Sequence, residues 1–179
     1  MPEPCLPSLL GAGGGLFPGF DAMKNPHPLF IHFPLALLML AFLFQVVSVV
    51  GRRQRLQATV HLLLYLGTAG ALLAVGTGWL AEEQVEGLPG FTPAVDDVLE
   101  THATLMFLST GLAVFLSFLT LLLRGRMNRA WQAVLCLGLL VLVSLAGLGA
   151  DRGGQLVYQF GVGTEKMGSV PGPEGEPPR

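Results

Sequence analysis

Charge is scarce in this chain. Asp, Glu, Lys and Arg together make up 12% of its 179 residues, about half the share usual in soluble domains. With a net charge of −2 and no basic stripe, a nucleic-acid partner is excluded. Cysteine is nearly missing as well. Cys5 lies in an N-terminal tail and Cys136 in an apolar run, so a disulfide between them would require the tail to reach into that run. Neither HExxH nor CxxC occurs, no nucleophile and base stand at a catalytic spacing, and no phosphate-cradling loop is present. Catalysis by this chain alone is therefore not expected.

Apolar sequence is abundant instead: 51% of residues are hydrophobic and the mean hydropathy is +0.61. Four runs, at 29–50, 58–81, 103–123 and 130–150, are each about 20 residues long and almost free of charge, enough to cross about 30 Å of hydrocarbon. The expected fold is an all-α integral membrane four-helix up-down bundle, with the lipid bilayer as its first partner.

The few charges set the expected orientation. Arg52, Arg53 and Arg55 occupy the first connection and Arg124, Arg126 and Arg129 the third, which places both connections in the cytoplasm. The middle connection carries Glu82, Glu83, Glu86, Asp96, Asp97 and Glu100 with no basic residue. It and both termini are expected on the outer, periplasmic side. Residues 1–26 read as a flexible Gly/Pro-rich outer tail, not a cleaved leader, because a basic n-region is lacking and the next apolar run is long enough to span. The four-helix domain is expected at 27–163, and 164–179 as a disordered tail. After Ala150 the paired Gly153 and Gly154 are expected to break the fourth helix, leaving 151–163 as a re-entry or cap segment over the outer mouth.

Small and polar residues mark the contact faces, because close approach drives helix association in lipid. Gly70, Ala74 and Gly78 repeat every four residues on the second helix. His102, Met106, Ser109, Ala113, Ser117 and Thr120 line one face of the third. Pro34 is expected to kink the first helix near His32. Trp79 and Trp131 suit opposite membrane interfaces.

Ionisable groups inside a span are functional candidates by default. His32, about one turn into the first helix, and His102, at the start of the third, fall at matching depth. Facing histidines on two bundle helices are how a b-type haem is held by two axial nitrogens, so His32 and His102 are the candidate ligands of a haem iron. His27, Met106 and Glu100 are candidates for a supporting role around that site, with His27 read as a boundary residue. His61, near the inner end of the second helix, has no histidine partner at its depth.

The segments His27-Pro28-Leu29-Phe30-Ile31-His32-Phe33-Pro34-Leu35-Ala36, Gly76-Thr77-Gly78, Thr101-His102-Ala103 and Gly153-Gly154-Gln155-Leu156-Val157-Tyr158 followed by Gly161-Val162-Gly163 resemble the bacterial domain-of-unknown-function 2231 family, over about 27–163. The resemblance implies a four-helix, multi-pass protein of the inner membrane, cytochrome-like or a respiratory accessory. Family members often carry histidines before the paired glycines and before Gly-Val-Gly, where this chain has Asp151 and Phe160. That departure leaves His32 and His102 as the matched pair. The leading expectation is an electron-transfer subunit holding one haem b near the outer face and serving other membrane or periplasmic redox proteins. The alternatives are a cofactor-free scaffold or anchor that recruits a partner and, ranked lower, a metal transporter.

Overall fold

A computed structural model describes residues 27–123, 128–164 and 167. The tail at 1–26, Arg124 and Arg126, and nearly all of 164–179 lie outside the described residues. Among those described, the secondary structure is helical throughout: α1 (His27–Val50), a short 3-10 turn (Gln54–Leu56), α2 (Gln57–Glu86), α3 (Pro93–Leu122) and α4 (Arg129–Tyr158). All four helices are long and apolar enough to cross a membrane.

Local signals explain where the helices begin. Thr92 caps α3, its hydroxyl accepting from the Val95 N–H at 3.4 Å, and Pro93 takes the first helical position, where a missing N–H costs nothing. Asn128 caps α4 by accepting from the Trp131 N–H at 3.0 Å. Between α1 and the 3-10 turn the chain reverses through Arg52, whose φ of 53° is a left-handed conformation uncommon outside glycine.

Each helix packs against two neighbours and not against the one diagonally opposite. Contacts join α1 to α2, α2 to α3, α3 to α4 and α4 back to α1, while no Cα of α1 lies within 8 Å of α3, nor any of α2 within 8 Å of α4. The closest pairs are α1 with α2 and α3 with α4, each reading in opposite senses along the chain. Leu38 meets Gly67, Pro34 meets Gly70 and His27 meets Gly78; Leu116 meets Gly138, Met106 meets Gly149 and His102 meets Gly153. The glycine stripe of α2 does face α1, which is how small residues let backbones approach. Helix α1 runs unbroken through Pro34, whose ring fills the space beside Gly70.

The apolar interior forms two clusters along the bundle. The larger joins Leu38, Ala41, Val60, Leu64, Ala113, Leu116, Leu135, Leu139 and Leu142, from all four helices. The smaller, near the acidic connection, joins Val85, Val95, Leu99 and Leu156, with Phe91, Phe160 and Val162 against it. Large side chains such as Leu43, Leu73, Phe107, Leu122 and Leu137 are more than half exposed, as expected of helices whose outer faces meet lipid rather than water.

The end of α4 departs from the sequence expectation. The helix does not break at Gly153-Gly154 but continues to Tyr158. Two helical glycines cost about 1 kcal/mol each, and the burial of Leu156 in the second cluster offsets that cost. The chain turns only at Gly161, where φ is 71° and the Val162 N–H reaches back to the Leu156 carbonyl at 2.9 Å.

Candidate functional site: two imidazoles between two apolar clusters

Helix α1 buries Pro34, Leu38, Ala41, Gln45 and Ser48, steps of three and four that define its inner stripe. Extended backward, the stripe passes through Ile31 and His27. His32 falls about 140° away from His27 around the helix, since each residue turns the helix by about 100°. The structure follows that geometry. His32 is exposed, and its Nδ1–H donates to the carbonyl of Pro28 on its own helix at 2.8 Å. It is not brought to His102.

His27 is. Half-buried at the start of α1, its ring lies against α2, with Nδ1 3.2 Å from the Thr77 hydroxyl. That hydroxyl donates its own hydrogen to the Ala74 carbonyl at 3.0 Å, so the imidazole supplies the proton of the shared bond. The Ala74 carbonyl is itself a hydrogen-bond partner of the ring. A β-carbon at Gly78 would stand 3.1 Å from the ring's Cε1, tighter than ordinary contact, so the glycine is what lets the imidazole edge approach α2 this closely.

His102 is held in the same way on the other hairpin. Its Nδ1–H donates to the Gly149 carbonyl at 2.7 Å, and a β-carbon at Gly153 would stand 3.0 Å from its Cε1. A donating Nδ1 leaves the lone pair of the neutral ring on Nε2. The two rings are within electrostatic reach of each other. Along the bundle they occupy the level between the two apolar clusters: on α3, His102 lies between Leu99 and Ala113, and on α4, Gly149 and Gly153 lie between Leu142 and Leu156.

The likeness extends beyond the histidines. Each residue of the first set has its counterpart 75 residues later: His27 and His102, Ala74 and Gly149, Gly78 and Gly153. The same step pairs buried positions on α1 and α3, Pro34 with Ser109, Leu38 with Ala113, Ala41 with Leu116 and Gln45 with Thr120. On α2 and α4 it pairs Val60 with Leu135, Leu64 with Leu139, Gly67 with Leu142 and Ala71 with Ala146. The bundle is two hairpins in one register, and the imidazoles are equivalent members of it.

The other candidates are placed as follows. Met106 is half-buried, its thioether end against Gly149 next to the carbonyl that holds His102. Glu100 is exposed. His61 is at the opposite end, its ring 6.2 Å from that of Tyr65, beside a cavity of about 370 Å³ lined by Ala58, His61, Leu62 and Tyr65. Its counterpart at the 75-residue step is Cys136. Among the described residues, no three His, Cys, Asp or Glu side chains come together to hold an ion.

A four-helix membrane protein with one half-buried imidazole on each hairpin is the class these features define. The chain belongs to the DUF2231 family of predicted membrane proteins, which matches residues 24–166. No curated protein and no solved structure matches it.

Proposed function

We propose that the protein is a b-type-cytochrome-like electron-transfer subunit of the inner membrane, with one haem held between His27 and His102. The observation that carries this reading is the pair of equivalent imidazoles on helices α1 and α3, each fixed through Nδ1 and each lying on a glycine. Neighbouring helices pack about 8–10 Å apart, so those on a diagonal stand about 11–14 Å apart, which favours a group bound through two facing side chains. A tetrahedral zinc site needs at least three protein ligands, whereas a haem supplies four nitrogens and asks the protein for two. Nδ1 anchoring, on the Thr77 hydroxyl for His27 and on the Gly149 carbonyl for His102, fixes tautomer and ring orientation, as is usual for metal-ligating histidine. Haem would supply one-electron redox chemistry. The chain's part is to orient both rings and to exclude water with the apolar clusters on either side.

An up-down course, which the antiparallel pairing of α1 with α2 and of α3 with α4 supports, would put His27 and His102 at the same end of the bundle as the acidic connection. The arginine distribution favours that end as the periplasmic one, with both termini outside. There the exposed Glu83, Glu86, Asp96, Asp97 and Glu100 would face a redox partner. This acidic rim also supports a second reading, a cofactor-free scaffold that recruits a basic partner. Charge reversal at Glu83 and Glu86 should then weaken a co-purifying complex.

The deciding measurement is the visible spectrum of protein purified from haem-replete cells. A reducible Soret and α band is expected, retained in His32→Ala and lost in His27→Ala and His102→Ala. A colourless wild-type protein would overturn the haem reading and leave the scaffold.

A further inference from the structure

The opposite end of the bundle carries a second, unrelated feature. Where α1 ends and α4 begins, a polar cavity of about 300 Å³ opens between Ser48, Val49, Val50, Arg52, Gln54, Arg129 and Gln132. Its floor is built. Ser48 and Gln132 are almost wholly buried, Gln132 and Gln54 exchange side-chain amide bonds at 2.8 and 3.4 Å, and the buried Gln45 donates to the Gln132 carbonyl at 2.8 Å. Gln57 bridges Gln45 and Ser48 at 3.0 and 2.7 Å.

Its walls are positive. Arg52 and Arg129 are both exposed, and Arg52 is carried there by a left-handed backbone conformation, the only non-glycine one among the described residues. The first turn of α4 has no acidic residue, so its N-terminal amides add partial positive charge. Nor does the sequence supply a carboxylate nearby. None occurs from residue 22 to 81 or from 101 to 150, so the stretches that form this corner offer its arginines no carboxylate of their own. One side of the cavity is apolar, formed by Val49 and by Val50, which is 79% exposed. A phosphate that carries an apolar tail matches that pairing better than a free anion does.

We propose that this corner binds the phosphate of an anionic phospholipid, with Arg52 and Arg129 on the headgroup and Val49 and Val50 along the start of the glyceride. The proposal depends on the chain spanning a membrane and not on haem. Lipid basicity arguments alone would treat all arginines of this end alike, since each basic residue near an anionic surface contributes similarly. Among the described residues, the cavity singles out two.

The test is native mass spectrometry of the detergent-purified protein titrated with phosphatidylglycerol, phosphatidylcholine or inorganic phosphate. One phosphatidylglycerol is expected to bind in preference to phosphatidylcholine, with inorganic phosphate unable to compete. Affinity should fall about fivefold in Arg52→Gln and in Arg129→Gln and stay unchanged in Arg55→Gln. Equal binding of both lipids, equal loss in all three variants, or displacement by inorganic phosphate would each overturn it. Circular dichroism of each variant separates lost binding from lost fold, and the comparison of ligands on the wild-type protein stands without any variant.

Discussion

The two ends of the bundle treat the same internal repeat in opposite ways. At the acidic end the hairpins keep the same chemistry at equivalent positions: histidine on the first helix, a carbonyl that holds it, and a glycine beneath the ring. At the arginine end equivalent positions have diverged. Gln45 answers to Thr120, His61 to Cys136 and Tyr65 to Leu140. There the polar side chains bond across unlike partners, Gln45 with the Gln132 carbonyl on one side and Tyr65 with the Thr120 hydroxyl at 3.1 Å on the other. A shared ligand on the line between two hairpins demands like groups from both. Packing and hydrogen-bond satisfaction demand only that each corner close on itself. The matched end is therefore where a group shared by both hairpins is to be sought, and the unmatched end is where each corner has been fitted to its own neighbours.

The largest effect that could break this comparison comes from the histidines. His27→Ala and His102→Ala should each abolish haem absorbance in the purified protein, and to the same extent, because a two-ligand site loses half its protein ligands either way. A protein that kept full absorbance without one of them would show that the hairpins are not equivalent at this level. Next come the glycines. Gly78→Leu and Gly153→Leu place a branched side chain where the imidazole edge lies 3.1 and 3.0 Å from a β-carbon position. Both should lower haem retention at least tenfold while helical content by circular dichroism persists. If only one did so, the two cradles would differ in use despite their likeness.

A smaller and differently placed effect is expected at the unmatched end. Gln45 is fully buried, donates to Gln132 and accepts from Gln57. Gln45→Leu removes both of these bonds from the interior and should destabilise the protein by about 1–3 kcal/mol, measured by unfolding in mixed detergent. The haem spectrum of the folded fraction should not change. A spectral change would mean that the two ends are coupled.

Much of this was legible in the residues. Four apolar runs became four helices because nothing in them could be left polar in lipid, and the glycine stripe of α2 named its own partner face. The histidine pair was legible only in part. Depth along the helix matched His32 with His102, but depth ignores rotation, and the stripe Pro34, Leu38, Ala41, Gln45 extended backward reaches His27 instead. The 75-residue step was also present in the sequence, in His27 with Gly78 and His102 with Gly153, yet few residue identities accompany it, and burial is what makes it visible. The helical course of Gly153-Gly154 could not be read locally. It depends on Leu156 finding Val85, Val95 and Leu99, contacts that come from distant parts of the chain.

The smallest prediction sharpens the comparison most. Thr77 has no like counterpart: the 75-residue step leads to Arg152, which donates to the Gln155 side chain at 2.9 Å rather than to an imidazole. In the first hairpin the ring is therefore held by a hydroxyl and a carbonyl, in the second by a carbonyl alone. Thr77→Val removes the hydroxyl and keeps the shape, leaving the Ala74 carbonyl to hold His27 as the Gly149 carbonyl holds His102. The cost should be about 1 kcal/mol or less, and haem should be retained with at most a small shift of its reduction potential. Loss of haem in that variant would mean that the hydroxyl, not the repeated carbonyl, fixes the ring, and the equivalence of the two hairpins would then stop at the histidines and glycines.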